Sequence, residues 1–495
     1  MSKKIALLAV AGAVAILGAG VLGYFSYGWI NPPEPPPVTL SKGNVRGKVL
    51  TDSGSMTPAG IIVEDEEGNT QRLTTNAFGG YDLQLYPGKY RLTFTKGYEF
   101  DTVTKEVEVQ QYKTYYLQDV RLMQLYDSYE KHWIAGDLHQ HTYYSDGSDS
   151  ILSLALGDVS VGLYYAFLSD HNSARGLAEW YETDTLKTLT AEDGEDRFFT
   201  PGEAVEITTE FGHFQALGVA TTLEKYDVEL YESERNSPDR DQIIMDRITY
   251  IANCIKRDGG VAQINHPYSV STMGFNYWEL APLFDTVEIW NGVFNPGDGR
   301  YENETGYISQ NYESKLKWYE LLNEGLYLAA TGGTDIHDTK GPGKTGGVTA
   351  ITPENYQSYY DDGGIYPGMP TTYLYLDGAI DRETILGAIE GGHSFISNGP
   401  VINCKVGETI YGQTHPLAGA SEVTFDMDVF CRDGIESIAF VRNGETVKSI
   451  ELDVGTDTVY TQPVTLEVTA GDWVVIEVFG TGAQYGITNP IFFEA

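Results

Sequence analysis

Residues 133–146 read WIAGDLHQHTYYSD, an apolar run that closes on His139, His141 and Asp146. Alternate side chains of a strand share one face, so the two imidazoles of His139-x-His141 point the same way and can chelate one ion. The pattern returns along the chain. YYAFLSDH (164–171) ends on Asp170 and His171, and PGEAVEITTEFGHFQALG (201–218) carries Glu206 and His213. GGVAQINHPY (259–268) delivers His266, and YLAATGGTDIHD (327–338) delivers Asp335 and His337. Six of the nine histidines therefore close apolar runs, five of them within His/Asp/Glu pairs, a coincidence that argues for one shared metal site. Imidazole with carboxylate and no thiolate suits Zn, Mn or Fe(II).

Helical patterns separate these strands. Ser237 and Pro238 supply an N-cap and first-turn proline, Ile244, Ile248, Ile251 and Ile255 repeat at helical spacing, and Gly259-Gly260 stop the run. A second helix is expected near 313–324, ending at Gly325, and a third from Asp381 to Gly391-Gly392. The alternation over 130–400 predicts a parallel α/β architecture. In a β/α barrel, residues at the carboxyl ends of different strands meet at one mouth.

The flanks read differently. Residues 5–30 carry no charge and follow Lys3 and Lys4. That run is long enough to cross a bilayer with the lysines inside, so residues 1–30 are expected to be a membrane anchor, or a signal segment if cleaved. NPPEPPP opens a stiff linker over 31–43. Residues 44–125 show short alternating runs with Gly and Pro-Gly turns, predicting a small β-sandwich; GYDLQLYPGKYRL (80–92) resembles the carboxypeptidase-regulatory-like domain. Residues 401–495 return to strand patterning and predict a second β-sandwich, in which Cys404 and Cys431 could pair if the domain is exported.

Composition bounds the function. The chain has 495 residues, and 70 Asp+Glu against 32 Lys+Arg give a net charge of −38. A field of that sign repels polyphosphate backbones, which disfavours long nucleic acid as a partner. Three cysteines exclude a disulfide framework and a four-cysteine zinc site. No G-x-S-x-G elbow or Walker A loop is present.

The ordered set GDLHQHTYYSDG, SDH, PGEAVEITTEFGHFQALG, NHP and GTDIHD resembles the polymerase-and-histidinol-phosphatase (PHP) superfamily, and more narrowly its carbaryl hydrolase-like branch. The resemblance covers roughly 130–400, together with HSFISNGP (393–400) and the tail's WVVIEVFG and TNPIFF. It implies an α/β fold, a distorted TIM-like, PHP-type β/α barrel flanked here by the two sandwiches, with one to three divalent metal ions at its mouth. Carried over, His139, His141, Glu206 and Asp335 would hold a first ion, with Glu206 bridging to a second completed by His213 and His266. Asp146, His171 and His337 would hold a third. Glu203 and Glu210 flank Glu206, and the family's Glu-hydrophobic-Thr pattern selects Glu206.

A bound divalent ion brings the pKa of water towards about 7 and so provides hydroxide near neutrality. The expected activity is hydrolysis of small phosphate esters outside the cytoplasm. Cleavage of carboxylic esters, carbamates or amides, 5′–3′ exonuclease or nucleotide phosphatase action, and a non-catalytic surface binding protein are the alternatives. Around the metals, Asp170 is expected to fix a ligand histidine; Lys340 and Lys344 could offset substrate charge or be solvated loop lysines, and His393 could orient substrate or protonate the leaving group. Glu288 and Asn291 in DTVEIWNG could line the pocket or pack in the core. His132 and His415 read as ordinary histidines.

Overall fold

A computed structural model describes residues 41–220, 228–269, 274–292, 295–297, 310–339, 367–453 and 455–495. The anchor and linker expected over 1–40, and the loop carrying Lys340 and Lys344, lie outside these residues. Among the described residues no helix is long and apolar enough to cross a membrane.

Two four-stranded sheets form the N-terminal part. The first holds β1 (Gly43–Thr51), β4 (Gly80–Leu85), β7 (Thr114–Tyr116) and β8 (Val120–Leu122); the second holds β2 (Gly60–Glu64), β3 (Thr70–Thr74), β5 (Gly88–Thr95) and β6 (Val103–Val109). The alternation in β4 explains its pairing: Tyr81, Leu83 and Leu85 are buried while Asp82 and Gln84 face solvent. That puts one apolar face on the shared core.

The central part is a long curled sheet. Its strands are β9 (Trp133–Gln140), β10 (Tyr165–Leu168), β13 (Thr200–Thr209), β14 (Gly212–Leu217), β15 (Val261–Asn265), β16 (Thr286–Asn291) and β17 (Ala329–Gly333), adjacent in the order β17-β16-β15-β14-β13-β10-β9. A short hairpin, β11 (Lys187–Thr190) and β12 (Asp196–Phe198), stands apart. Neighbouring central strands run parallel except where β14 lies antiparallel to both β13 and β15. The sheet curls far enough for its first and last strands to meet. The Asp335 amide donates to the His139 carbonyl at 2.9 Å, and the His141 amide to the Ile336 carbonyl at 3.0 Å. Gly333 permits that approach, because a Cβ there would stand 2.4 Å from the His139 Cβ.

The class is thus mixed α/β with strands in the majority, and the sheet is curled rather than a regular alternation of strand and helix. Helices α1 (Ile151–Ser160), α2 (Arg240–Arg257), α3 (Gln310–Asn323) and α4 (Arg382–Glu390) accompany it. Ile244, Ile248, Ile251 and Ile255 of α2 are all buried, as their spacing requires. The residue preceding α2 is Asp239 rather than Ser237. Asp381 caps α4 by accepting from the Thr384 amide at 3.0 Å.

The sheet does not break near residue 400. From β9 it continues through β18 (Thr371–Tyr375) and β19 (Ser394–Ser397) into the tail. The tail comprises β20 (Val401–Lys405), β21 (Thr414–Pro416), β22 (Glu422–Phe430), β23 (Ile435–Arg442), β24 (Glu445–Glu451), β25 (Val459–Tyr460), β26 (Val464–Glu467), β27 (Trp473–Gly480), β28 (Tyr485–Thr488) and β29 (Ile491–Glu494). Pairing of β19 with β28 joins β27, β23 and β24 to the central sheet, while β20, β22, β25 and β26 form the facing layer. The pairing expected of Cys404 and Cys431 is not formed. Both thiols are free and buried, Cys404 Sγ lying 3.2 Å from Met427 Sδ and Cys431 Sγ 3.3 Å from Gln484 Oε1.

Candidate metal centre

The curl of the sheet brings the strand ends together. His139 and His141 come from the end of β9, His171 follows β10, Glu206 sits in β13 and His213 in β14, His266 follows β15, and Asp335 and His337 follow β17. Asp146 reaches in from the loop after β9. All nine expected ligand residues fall into four overlapping groups, each with its ligand atoms within 4.8 Å of one another. These are His139, His141 and Asp335; His139, Glu206 and His266; His171, Glu206 and His213; and His141, Asp146, His171 and His337. Within these groups His213 stands with His171 and Glu206, and its Nδ1 also shares Glu206 Oε1 with His266 Nε2, at 3.1 and 3.2 Å; His141 reaches the outer group as well.

Glu206 is the hub. Its Oε1 lies 3.1 Å from His213 Nδ1, 3.2 Å from His266 Nε2 and 3.4 Å from His139 Nε2, and its Oε2 lies 2.8 Å from His171 Nδ1. The flanking candidates point elsewhere. Glu203 accepts from Tyr181 and Arg382, and Glu210 pairs with Arg235. Exposure grades outward: His139, His141 and Glu206 have no exposed side-chain surface, whereas the Asp146 side chain is 58% exposed. The outer group therefore opens to solvent.

Backbone geometry aims two of these residues. His266 has φ +25° and Asp335 φ +53°, conformations that L residues rarely adopt and that persist where surrounding contacts fix them. Here the fixing contacts are the Asp335 amide on the His139 carbonyl and the His266 amide on Glu288 Oε2 at 3.0 Å.

Electrostatics favour cations. Burial opposes charge on Glu206 and Asp335, but His139 and the other imidazoles outweigh it and hold both carboxyls well below their ordinary range. Burial likewise opposes charge on His139, yet Asp335, Glu288 and Glu206 raise it well above the usual imidazole value. His139 Nε2, His141 Nε2, Glu206 Oε2 and Asp335 Oδ1 are buried and form no hydrogen bond with acceptable geometry. Four orphaned ligand-type atoms facing one another are what a cation-binding donor set presents, and the cluster can hold divalent metal ions.

Three further residues support it. Glu288, in β16, accepts from His139 Nδ1 at 2.9 Å, and such an outer carboxylate fixes ring orientation. Asn291 donates to the other Glu288 oxygen at 3.1 Å and approaches Asp335 Oδ2 at 3.3 Å. Asn265, not singled out from sequence, donates to Glu206 Oε1 at 2.9 Å and to Gln215 Oε1 at 3.0 Å. The sequence signal for this polar floor is Gln215, Gln263 and Asn265 recurring two residues from one another or from His213 inside apolar strands.

Two expected roles are corrected. Asp170 holds no histidine; it accepts from the Thr142 amide, the Thr142 hydroxyl and the Ser145 hydroxyl, each at 2.7 Å. Its work is to pin the loop that presents Asp146. His393 stands away from the cluster. Its carbonyl accepts from Tyr375, whose register partner is Trp133, the first residue of β9. At roughly 3.3 Å per residue, the six residue steps from Trp133 to His139 amount to about 20 Å. Lys340 lies outside the described residues.

No family model and no curated protein matches this chain. Solved structures similar to it include a two-domain protein of Bacteroides vulgatus containing a predicted PHP-like metal-dependent phosphoesterase, at 15% identity over 72% of this chain and 95% of that one, with a TM-score of 0.35. A protein of Bifidobacterium adolescentis described as a candidate metal-dependent phosphoesterase matches at 16% identity over 46% and 96%, TM-score 0.25. An amidohydrolase of Chromobacterium violaceum matches at 14% identity over 41% and 87%, TM-score 0.25. The solved structures similar to this chain thus include two described as predicted or candidate metal-dependent phosphoesterases, one of them PHP-like.

Proposed function

We propose that this chain is a divalent-metal-dependent hydrolase of the PHP type, built on a distorted β/α barrel, and that it cleaves small phosphate esters. The observation that carries the reading is the set of four buried ligand atoms on His139, His141, Glu206 and Asp335, which face one another at the meeting point of seven strands without a well-formed hydrogen bond. The nitrogen and oxygen donors suit Zn, Mn or Fe(II), with one to three ions per chain. Bound there, such ions supply Lewis acidity and a nucleophile near neutral pH.

The chain's own residues do the positioning. Glu206 bridges the inner groups, Glu288 fixes the face that His139 presents, and Asp170 holds the loop that brings Asp146 against His171 and His337. The exposed outer group is where substrate enters. We also place this region outside the cytoplasm, on the strength of the uncharged run 5–30 behind Lys3 and Lys4.

The test is turnover of p-nitrophenyl phosphate and p-nitrophenyl acetate by purified protein loaded with Mn or Zn. Phosphate-ester turnover that a chelator abolishes is expected. Turnover of acetate alone would overturn the phosphatase reading in favour of ester or amide hydrolysis, and no turnover on either without bound metal would favour a binding protein.

A further inference from the structure

We propose that a second site, far from the histidine cluster in composition, binds a small organic carboxylate with an apolar body in the cavity between the N-terminal sandwich, the central sheet and the tail. The cavity measures about 250 Å³ and draws residues from all three parts. Its apolar wall includes Ile62, Phe100, Leu163, Tyr164 and Tyr373. Into this wall the chain sets Arg72, Lys96 and Arg432, three of the 32 basic residues of a molecule with 70 acidic ones. Arg72 is 3% exposed and Lys96 1%. Burying cationic groups in so acidic a protein calls for a reason.

Arg432 has one in Asp433, but for Lys96 the acidic neighbours do not supply it. Glu99 is engaged by the Ser128 amide at 2.9 Å and hydroxyl at 2.7 Å. Asp433 is engaged by Arg432 Nη2 at 2.9 Å and Gln484 Nε2 at 2.8 Å. Lys96 Nζ donates to two neutral carbonyls, Pro58 at 3.0 Å and Val159 at 2.9 Å. An ammonium has three donors, and among the described residues no carboxylate meets this one. Burial accordingly draws the Lys96 amine down to about 7, with no acidic group opposing it. A buried charge is costly unless paired. A monoanion entering the cavity would take the third donor and supply the missing charge, and the aromatic wall would take its apolar body. Enclosed sites at domain junctions with a few polar groups on an apolar lining are the usual form of small-molecule sites. Because three parts of the chain meet there, occupancy would tie them together.

Isothermal titration calorimetry and thermal melting of the full chain with sodium benzoate test the proposal, with sodium phosphate and sodium chloride at matched ionic strength as comparisons. Saturable binding of one benzoate per chain is expected, with a rise in Tm of about 3 °C at a hundredfold excess over Kd. Lys96→Met should weaken binding at least tenfold while leaving metal-dependent turnover unchanged. Thr102→Trp, an exposed position on the cavity lining, should block entry and carries the test if Lys96→Met does not fold. Absence of saturable binding, an equal Tm rise with chloride, or wild-type affinity in the folded variants would overturn the site. Saturable binding of phosphate in place of benzoate would overturn the carboxylate assignment.

Discussion

Glu288 accepts from His139 Nδ1 at 2.9 Å and so leaves Nε2 to face Glu206 and Asp335. Replacing it by Gln keeps the shape but removes the charge that makes the imidazole a better ligand. Glu288→Gln is expected to lower metal affinity tenfold to a hundredfold, measured by competition with a chelator; unchanged affinity would contradict the role. His393→Ala, by contrast, should leave kcat/KM within about twofold, since the ring lies at the opposite end of β9. Steady-state kinetics decide this, and a loss of a hundredfold would return His393 to the site. Eight of the nine cluster residues were legible because each ends or sits in an apolar run where a polar side chain needs an explanation; Asp146, in the exposed loop after β9, was legible only from its place just after the His-x-His pair. Glu288 was only half legible, for a local reason. The pairing of β16 with β17 shifts register between Glu288 and Trp290, and this irregularity lets Glu288 and Asn291 meet although strict alternation would put them on opposite faces.

At the scale of elements, the loop after β9 depends on a residue contributed by the end of β10. Asp170 takes three hydrogen bonds from Thr142 and Ser145. Asp170→Ala leaves those donors without an acceptor and releases Asp146 from its neighbours His171 and His337. Metal content is expected to fall by about one ion per chain relative to wild type, with the inner ions retained; equal content would show that the loop holds without Asp170. Asp170 was expected to fix a ligand histidine, but consecutive side chains of an extended segment diverge, and beside His171 its carboxylate turns to Thr142 and Ser145 instead. The helices were legible from spacing and caps, α2 and α4 above all. Strand neighbours were not. That β19 starts beside the start of β9 follows from two antiparallel pairings through β18, and no local pattern announces them.

At the scale of the whole molecule, three parts expected as separate domains share interfaces and, for the tail, a sheet. Pattern showed strand content in 401–495 but not that β28 would pair with β19, because a continuous apolar strand such as β27 can be buried by either arrangement. Glu99 makes the N-terminal interface responsive to pH. Burial raises its carboxyl from 4.5 to about 7, against the opposing pull of the hydrogen bonds from Ser128 and Tyr373. Between those values the folded chain holds a proton that the unfolded chain has released, so stability falls as pH rises from about 4.5 to about 7. Glu99→Gln should remove that contribution, gaining on wild type in urea melts at pH 8 relative to pH 4. An equal difference at the two pH values would contradict the burial of the carboxyl.

The most direct test of the metal centre is elemental analysis of purified protein loaded with Zn or Mn and then desalted, beside Glu206→Gln treated identically. Between one and three ions per wild-type chain are expected, falling by at least one in the variant, because Glu206 belongs to two of the four ligand groups. Wild-type protein that retains no metal, or a variant that retains the full complement, would contradict it.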